Sequence, residues 1–545
     1  MILRPSDFPP PTAFGAPPRF SSWRPEQADA VRRILESTKR FTAINAPTGI
    51  GKSLIAMMVQ KLTGARVLVL TSTRGLQDMY RDQWASAGAF DIRGQRNYEC
   101  VAVRADGPLA RYHRGASAVM VDRAPCHAGV WCRFKRSGGC EYYDAVREAA
   151  DAQLVVTNYA YWMVIGSQLG EFDYLILDEA DEADAEVRGA LHIDLSHVAC
   201  RNIGIDVPVG EVSVERWREW SIDARRRCAE EVNDYTAALE REDAIDASTI
   251  AELRKLKDLQ STLDRIGKLR GEWLVAASRR GPYTDFDPIW PAPYCEETLF
   301  RGVERVVLMS ATLTRKDLSI LGVPTSESEY VEYDSPFPVA SRPVYILDLG
   351  EGGRVRVDSR LKDYAWLVAL MDSAIGKRLD RKMLIHSVSY KLTREIMRLS
   401  RYRSLMISCA SSDEKPQMLA DYRAAKAGGA GSILIHPGLK VGESFPMEEC
   451  EVVLVPKVPF LDMRDPIMKR REAEDPTYGG HLMMKALVQS AGRHVRSIDD
   501  RGEVLIFDDH ARWAVPKYAK LGSAPKAFMK ALVWVKALPE PLEKL

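Results

Sequence analysis

The stretch NAPTGIGKSL, which begins at Asn45, combines residue types that bind a polyphosphate. Apolar residues precede it in RFTAI and follow it at helical spacing in SLIAMMVQKL, so a strand, a glycine-rich loop and a helix are expected in succession. Gly49 and Gly51 allow backbone N–H groups to approach the phosphates closely, and Lys52 can reach their terminal oxygens. The Ser53 hydroxyl can bind Mg²⁺. The alternative is a Gly-Lys-Ser turn that occurs by chance, and the flanking strand and helix argue against it.

An acidic stretch, FDYLILDEADEAD, follows at residues 172–184. Its apolar half predicts a strand that delivers Asp178 and Glu179 at its C-terminal end, where an open parallel sheet places ligand-contacting residues. Asp178 can hold Mg²⁺ through water, and Glu179 can orient and deprotonate an attacking water. An acidic helix N-terminus is the alternative, since carboxylates favour that position in any helix. Two such motifs in this order favour nucleotide hydrolysis.

Four of the nine cysteines fall within 41 residues, with the spacing C-x25-C-x5-C-x7-C. Four thiolates can hold tetrahedral Zn²⁺ or an iron–sulfur cluster. Zinc sites favour C-x2–4-C pairs, which are missing here, although His127 offers an alternative ligand. Buried apolar thiols are a further alternative. An odd number of cysteines argues against a disulfide framework. The clustered cysteines are Cys100, Cys126, Cys132 and Cys140.

The whole chain sets limits on the elements that must position these groups. Its 545 residues suggest roughly two to four domains at ~150 residues each. The net charge of +1 predicts no general attraction to polyanions, so a nucleic-acid site would be a local basic channel. The sequence contains no run of about 18 apolar residues, so we do not expect a membrane span. The proline-rich residues 1–20 lack the apolar core of a signal peptide, so we expect a flexible leader and a cytoplasmic protein. We also expect that a bacterium or a phage encodes it.

Together, APTGIGKS and DEAD resemble motifs of the superfamily 2 helicases, and four other stretches extend the resemblance. RPEQ at 24–27 resembles the element that reads adenine, and VLVLTSTRGLQDMY at 67–80 resembles motif Ia, which touches the nucleic-acid backbone. LMSATLT at 308–314 resembles motif III. QSAGRHVR at 489–496 matches the Q-x-x-G-R-x-x-R of motif VI, which in such enzymes reaches the γ-phosphate from a second RecA-like domain.

This resemblance implies roles for individual residues. Arg493 and Arg496 are candidate arginine fingers, which would neutralise charge on the transferring phosphoryl group and make hydrolysis depend on domain closure. Gln489 is the expected link to the DEAD loop, and a solvated basic helix face is the alternative. The implied catalytic residues are Lys52, Asp178, Glu179, Gln489, Arg493 and Arg496. The implied ligands of ATP and Mg²⁺ are Gln27, Thr48, Gly49, Gly51, Lys52, Ser53 and Asp178.

The placement of the cysteines extends the resemblance to the XPD/DinG helicases. GQRNYEC and CEYYDAVREAADAQLVVTNYAYW, between the phosphate loop and DEAD, resemble their iron–sulfur insertion. YDSPFP at 333–338 and VLVPKVPFLDMRDP at 453–466 are also similar to this family. The resemblance spans about residues 20 to 515 and implies a [4Fe–4S] cluster on the four cysteines, in a small domain that wedges the duplex at a fork. One departure is GESFP, in which Ser444 stands where motif V has Asp and Glu443 precedes it.

Candidate nucleic-acid contacts lie in motif Ia and around the cysteines. Basic and aromatic residues there suit a surface that touches backbone phosphates and stacks on bases. Packing inside a small metal domain is the alternative, especially for the tyrosines. The candidates are Thr73, Arg74, Arg96, Tyr98, Arg133 and Lys135.

The predicted fold class is α/β, with two RecA-like parallel-sheet domains. The first comprises residues 21–90, 150–185 and 301–329, and the second comprises 330–545. The cysteine domain is expected at 91–149. At 186–300 a leucine stripe predicts a helical hairpin or bundle, which the resemblance identifies as an arch-like insertion.

We expect an ATP-dependent DNA helicase that translocates on single-stranded DNA and unwinds duplex junctions, with 5′–3′ polarity implied by the resemblance alone. The family also suggests a monomer. Two alternatives remain at this point. One is an ATP-switched nucleic-acid-binding, redox-sensing or damage-sensing iron–sulfur module. The other is a helicase for RNA or RNA–DNA hybrids.

Overall fold

Two parallel seven-stranded sheets organise the part of the chain that the structure describes. This computed structural model describes residues 8–104, 118–127, 129–241, 247–349, 356–357, 363–411, 413–438, 445, 449–492, 495 and 500–543. Strands such as VLVLT and ILIH are buried along their whole length, as expected for parallel sheets covered on both faces. The predicted fold class is therefore confirmed.

The strands and helices follow one another as alternating apolar runs and amphipathic segments. The strands are β1 (Phe41–Asn45), β2 (Val67–Thr71), β3 (Ala89–Asp91), β4 (Leu154–Asn158), β5 (Tyr174–Asp178), β6 (Ile193–Ser196), β7 (Trp273–Ala277), β8 (Tyr283–Pro288), β9 (Arg305–Ser310), β10 (Ser328–Glu332), β11 (Val344–Leu347), β12 (Met383–His386), β13 (Met406–Ile407), β14 (Ile433–His436), β15 (Val452–Val455), β16 (Glu503–Ile506) and β17 (Leu532–Val535). The helices are α1 (Pro25–Glu36), α2 (Lys52–Thr63), α3 (Arg74–Trp84), α4 (Arg133–Ser137), α5 (Glu141–Asp151), α6 (Tyr159–Ile165), α7 (Ala183–Leu191), α8 (His197–Asn202), α9 (Val214–Arg241), α10 (Ala247–Ile266), α11 (Ala292–Cys295), α12 (Arg315–Ile320), α13 (Ala365–Gly376), α14 (Tyr390–Leu399), α15 (Lys415–Ala424), α16 (Pro466–Glu474), α17 (Tyr478–Ala491), α18 (Ala511–Lys520) and α19 (Lys526–Ala531).

The first sheet has the strand order β10-β1-β9-β5-β2-β4-β3. Its central strands β1, β9 and β5 are neighbours, and Asp178 at the end of β5 pairs with Met309 of β9. The carboxyl ends of these three strands therefore lie side by side. This edge of the sheet brings together the phosphate loop after β1, the acidic turn after β5 and the motif III residues after β9.

The second sheet has the order β13-β14-β12-β15-β16-β11-β17, again with parallel neighbours. Helix α17 packs against its core through Met483, Met484 and Leu487, which are completely buried. The polar side chains of α17 therefore lie on its other faces, where they are available to the first domain.

The segment between α7 and α11 contains more than the predicted helices. Helices α9 and α10 pack as a pair, and the leucine stripe of α10 is buried as predicted, with Leu253 and Leu263 fully enclosed. An antiparallel sheet with the order β6-β8-β7 was not predicted. It joins the two ends of the insertion at its base, because β6 follows α7 and β8 precedes α11.

Two predicted boundaries differ from the structure. Residues 8–20 are packed and not a flexible leader: Phe8 is buried, and Phe20 stacks on Trp84 with 5.2 Å between ring centroids. The first domain also extends further than residue 329. Strand β10 pairs with β1 at the edge of the first sheet, so the chain passes to the second domain between Glu332 and Val344. Among the described residues, no helix is long and apolar enough to span a bilayer.

A fully buried ion pair in the second domain generates a stability prediction. Arg378 donates to both carboxylate oxygens of Glu503, at 2.7 and 3.0 Å, and neither side chain is exposed. Glu503→Gln leaves the guanidinium buried without its counter-charge, and this should destabilise the domain by about 3–5 kcal/mol. Urea unfolding of the full chain measures the loss. Glu540→Gln is the matched control, because Glu540 pairs with Lys377 at the surface. Equal unfolding midpoints for the two variants would contradict the prediction.

Candidate nucleotide-binding cleft and cysteine cluster

The phosphate loop joins the buried strand β1 to helix α2. Gly49 and Gly51 have φ values of 81° and 91°, in the left-handed region that glycine adopts without strain. Because α2 begins at Lys52, the positive end of its helix dipole lies beside the loop and offers a site for an anion. The remaining predicted ligands of this loop, Thr48 and Ser53, are half-buried.

Gln27, the predicted adenine-reading residue, is buried against the phosphate loop. Its Nε2 donates to the carbonyl of Ile50 at 2.7 Å, and its Oε1 accepts from the N–H of Arg24 at 2.9 Å. A Cβ on Gly51 would displace the Gln27 amide, and the φ of Gly51 independently favours glycine there. In this structure the Gln27 amide therefore supports the loop.

The two predicted catalytic carboxylates lie at the end of β5. Asp178 is buried and accepts a hydrogen bond from the Tyr80 hydroxyl at 3.0 Å. Glu179 has a φ of 52°, which is uncommon for a residue with a side chain. Its carboxylate lies 3.2 Å from Lys52 Nζ and accepts from the Ser310 hydroxyl at 3.1 Å. The turn thus presents Glu179 to the phosphate loop on one side and to motif III on the other.

The environment of Asp178 opposes its ionisation. Burial is the main cause that raises its pKa; Lys52 lowers the pKa, the neighbouring Glu179 raises it, and the net value is about 6. A cation bound at this position would favour the carboxylate form. This is the electrostatic character expected of a residue that helps to hold Mg²⁺.

A side chain from the second domain reaches the acidic turn. Gln489 of α17 donates to Asp181 at 2.9 Å and to Glu182 at 3.1 Å. Thr312 of motif III donates to the same Asp181 carboxylate oxygen. Gln489 thus contacts the DEAD loop directly in this structure, and its role in catalysis stays a prediction.

A cleft lies between the two domains at this point. Its walls include the phosphate loop, the acidic turn and motif III from the first domain, and α17 and α19 from the second. Gly492, at the end of α17, lies against Thr48 of the phosphate loop. The predicted arginine fingers Arg493 and Arg496, and the motif V residues Glu443 and Ser444, lie outside the described residues.

The motif Ia candidates lie at the carboxyl end of β2. Thr73 caps α3, and its hydroxyl accepts from the N–H of Leu76 at 3.3 Å. Arg74, the first residue of the helix, is exposed. This end of β2 lies on the same edge of the sheet as the acidic turn, because β2 and β5 are parallel neighbours.

The four clustered cysteines line one small cavity. Burial raises the pKa of Cys100, and it raises the pKa of Cys126 to about 11. Four thiols that converge on one cavity are a donor set that suits an iron–sulfur cluster, and tetrahedral zinc is the alternative.

The candidate basic residues around the cysteines are exposed, whereas the candidate tyrosine packs against another ring. Arg96 is 83% exposed and pairs with Asp122 at 3.1 Å. Arg133 and Lys135 lie over the rings of Phe134 and Tyr143. Tyr98 instead packs edge-on against Tyr142, with 5.5 Å between centroids, as the packing alternative predicts.

Several residues of the cleft were absent from the predicted site. Asp181 is the most connected of them, since it accepts from Thr312 and Gln489 and contacts Lys485. The spacing of Lys485 and Gln489 could have identified Lys485 as a residue of the cleft, because residues four apart on a helix share a face.

Comparisons with known proteins agree with this architecture. Residues 20–195 match the family model of the type III restriction enzyme res subunit, and residues 374–523 match that of a helicase C-terminal domain. Three solved structures are similar over 94% of this chain and 100% of theirs: an XPD helicase (14% identity, TM-score 0.59), an apo form of XPD (13%, 0.54) and Xpd4 of S. tokodaii (13%, 0.55). None of the curated proteins matches the sequence.

These matches show two RecA-like domains with the fold of XPD helicases, and a segment that matches a helicase C-terminal domain. The resemblance seen in the motifs is therefore confirmed at the level of the fold and of the two matched family models.

The raised pKa of Asp178 predicts a stability effect that depends on pH. Because its folded pKa of about 6 exceeds the ordinary value of 3.8, the charged form disfavours the fold, by up to about 3 kcal/mol above pH 6. The cost falls as the pH drops from 6 and disappears below about 4. Asp178→Asn should therefore raise the unfolding temperature of nucleotide-free, magnesium-free protein at pH 8, and raise it less at pH 5.

Thermal unfolding at both pH values checks this expectation. Asp82→Asn serves as the control, since the Asp82 side chain is 64% exposed and its removal should change little. A gain for Asp178→Asn that is the same at both pH values would show that burial of the charge is not its cause.

Proposed function

We propose that this protein is an ATP-dependent DNA helicase that moves along single-stranded DNA in the 5′–3′ direction and unwinds duplex junctions. The observation that carries the proposal is the hydrogen bond from Gln489 to Asp181, which links the two domains at the turn that carries Glu179. Hydrolysis at this turn therefore depends on the relative position of the domains, which is the requirement for a motor.

In the proposed cycle, ATP and Mg²⁺ occupy the phosphate loop. Lys52 and Ser53 contact the phosphates and the metal ion, and Asp178 holds the metal from β5. Glu179 orients the attacking water and accepts its proton. The salt bridge between Lys52 and Glu179 supports this assignment, because it places the phosphate-binding lysine and the proposed base within 3.2 Å of each other. Arg493 and Arg496 remain the predicted arginine fingers.

Single-stranded DNA is the proposed track. Thr73 and Arg74 at the end of β2 are suited to hold its backbone, and Arg96, Arg133 and Lys135 extend a basic surface around the cysteines. The choice of DNA and the direction of movement rest on the resemblance to XPD/DinG helicases, so both are outcomes of the tests below.

The cysteine segment is proposed to bind a [4Fe–4S] cluster through Cys100, Cys126, Cys132 and Cys140. The thiol donors and the lack of C-x2–4-C pairs in the sequence support this choice over zinc. When bound, the cluster would cross-link four points of the chain between Cys100 and Cys140. The polypeptide around it would then form a rigid body against which a duplex is separated.

The helicase proposal is tested with Lys52→Ala. We expect loss of ATP hydrolysis by at least about 10²-fold, because the charge on the transferring phosphoryl group is no longer neutralised, and complete loss of unwinding. The assays are single-strand-stimulated ATP hydrolysis and strand separation of duplexes with 5′ or 3′ tails of DNA or RNA. Lys61→Ala, at the far end of the same helix, is the control. Unwinding by Lys52→Ala would contradict the mechanism, and faster unwinding of RNA would replace DNA as the track.

The cluster is tested on anaerobically purified protein. We expect a broad absorption near ~400 nm and about four irons per chain, since four thiolates bind one four-iron cluster. Cys126→Ser should lose iron and unwinding while ATP hydrolysis persists, whereas Cys450→Ser, a buried cysteine of the second domain, should keep both. One zinc ion per chain, or no metal, would reject the cluster.

A further inference from the structure

One face of α17 carries a row of polar side chains that point to the first domain. Tyr478, His481, Lys485 and Gln489 follow one another at intervals of three, four and four residues, so they lie along a single helix face. Each contacts an acidic residue of the first domain. Gln489 belongs to the motif already described, and the other three lie on the helix before it.

Lys485 occupies the centre of this row. Its ammonium group donates to the backbone carbonyl of Asp181 and lies 3.6 Å from the carboxylate of the same residue. It also lies 3.9 Å from Asp317, the residue that caps α12 after motif III. His481 Nε2 lies 3.0 Å from the same Asp317 oxygen. Lys485 thus connects the acidic turn with the helix that follows motif III.

The surroundings of Lys485 hold it in its charged form. Burial alone would lower the pKa of the ammonium group, but the carboxylates of Asp181, Asp317, Glu182 and Asp184 together raise it above its usual value. An enclosed lysine with several carboxylates around it has little freedom to move, because every displacement weakens at least one of these attractions.

The contact with Asp181 bears directly on Glu179. Residues 180–182 form a single 3-10 turn, closed by a hydrogen bond of 2.9 Å from the N–H of Glu182 to the carbonyl of Glu179. Thr312, Gln489 and Lys485 all approach one oxygen of the Asp181 carboxylate, while its other oxygen is buried without a partner in the described part of the chain. The turn that carries Glu179 is therefore held mainly through that single oxygen and the backbone beside it.

We propose that Lys485 is a positioning residue for ATP hydrolysis: it fixes the turn that carries Glu179 when the second domain is docked. It touches neither the nucleotide loop nor Glu179 itself, so its effect passes through Asp181. This inference rests on the proposed ATP hydrolysis, and it assigns to α17 a role beyond motif VI.

The test compares Lys485→Met with Lys485→Arg and with the control Lys469→Met, which changes an exposed lysine of α16. The measurements are kcat and KM for ATP with single-stranded DNA present, and the unfolding temperature. We expect Lys485→Met to lower kcat about 10²-fold, as misplacement of a catalytic group does, with KM changed less than about threefold. Lys485→Arg should restore at least a tenth of the activity, since its guanidinium reaches the same oxygens.

Two outcomes would overturn the proposal. The first is a kcat for Lys485→Met, per folded molecule, equal to that of the parent chain. The second is a loss of ATP hydrolysis that appears only where Lys485→Met unfolds, with the parental kcat at temperatures below its unfolding temperature. If Lys485→Met does not fold, the double variant Lys485→Met/Asp317→Asn removes one charge of each sign. It should fold and hydrolyse slowly, and a parental kcat would overturn the proposal.

The control arms separate this inference from the proposed function. A parent chain without ATP hydrolysis overturns both. An active parent with an equally active Lys485→Met overturns only the role of Lys485.

Discussion

The site depends on neutralising a turn rich in carboxylates that the two domains bury between them. An unpaired buried carboxylate costs several kcal/mol, so each must find a cation or a donor. Within the first domain, Lys52 contacts Glu179. From the second domain, Lys485 and Gln489 contact Asp181, and Arg471 contacts Asp184. Docking of the second domain therefore stabilises the turn on which the proposed chemistry depends. The acidic residues are Asp178, Glu179, Asp181, Glu182 and Asp184.

In the proposed cycle a nucleotide competes with Glu179 for Lys52. Its γ-phosphate would replace the Glu179 carboxylate beside Lys52, so one anion is exchanged for another at little electrostatic cost. In that cycle Glu179 keeps the hydrogen bond from Ser310 and its place at the start of the turn, since neither involves Lys52. The donors to Asp181 come from motif III and α17, so the contacts of this turn depend on the position of the second domain. In the proposed cycle, the bound nucleotide and the domain position therefore both act on residues 179–182.

The sequence was sufficient to predict the elements and motifs that are defined by residue spacing within a short segment. The phosphate loop, β5 and its acidic end, and the buried stripe of α10 each follow from spacing within about 20 residues. The contacts of Lys485 with Asp181 and Asp317 join residues more than 160 positions apart, and no local pattern specifies that pairing. The sheet at the base of the insertion was missed for another reason. Strand β8 does alternate between exposed and buried residues, but its aspartates and final proline weaken the strand signal.

Arg471 shows why that missed sheet matters to the site. Its guanidinium makes a two-pronged contact with Asp184, at 2.7 and 3.0 Å, and its Nε donates to the carbonyl of Ile289 at 2.5 Å. Asp184 lies just before the insertion and Ile289 just after its sheet, so one side chain of the second domain holds both ends of the insertion. The planar guanidinium lies over the rings of Trp290 and Tyr478, which fixes the direction of its hydrogen bonds as well as their length. A lysine ammonium group would not fix that direction. In the proposed motor, movement of the second domain would therefore act through Arg471 on both the acidic turn and the base of the insertion.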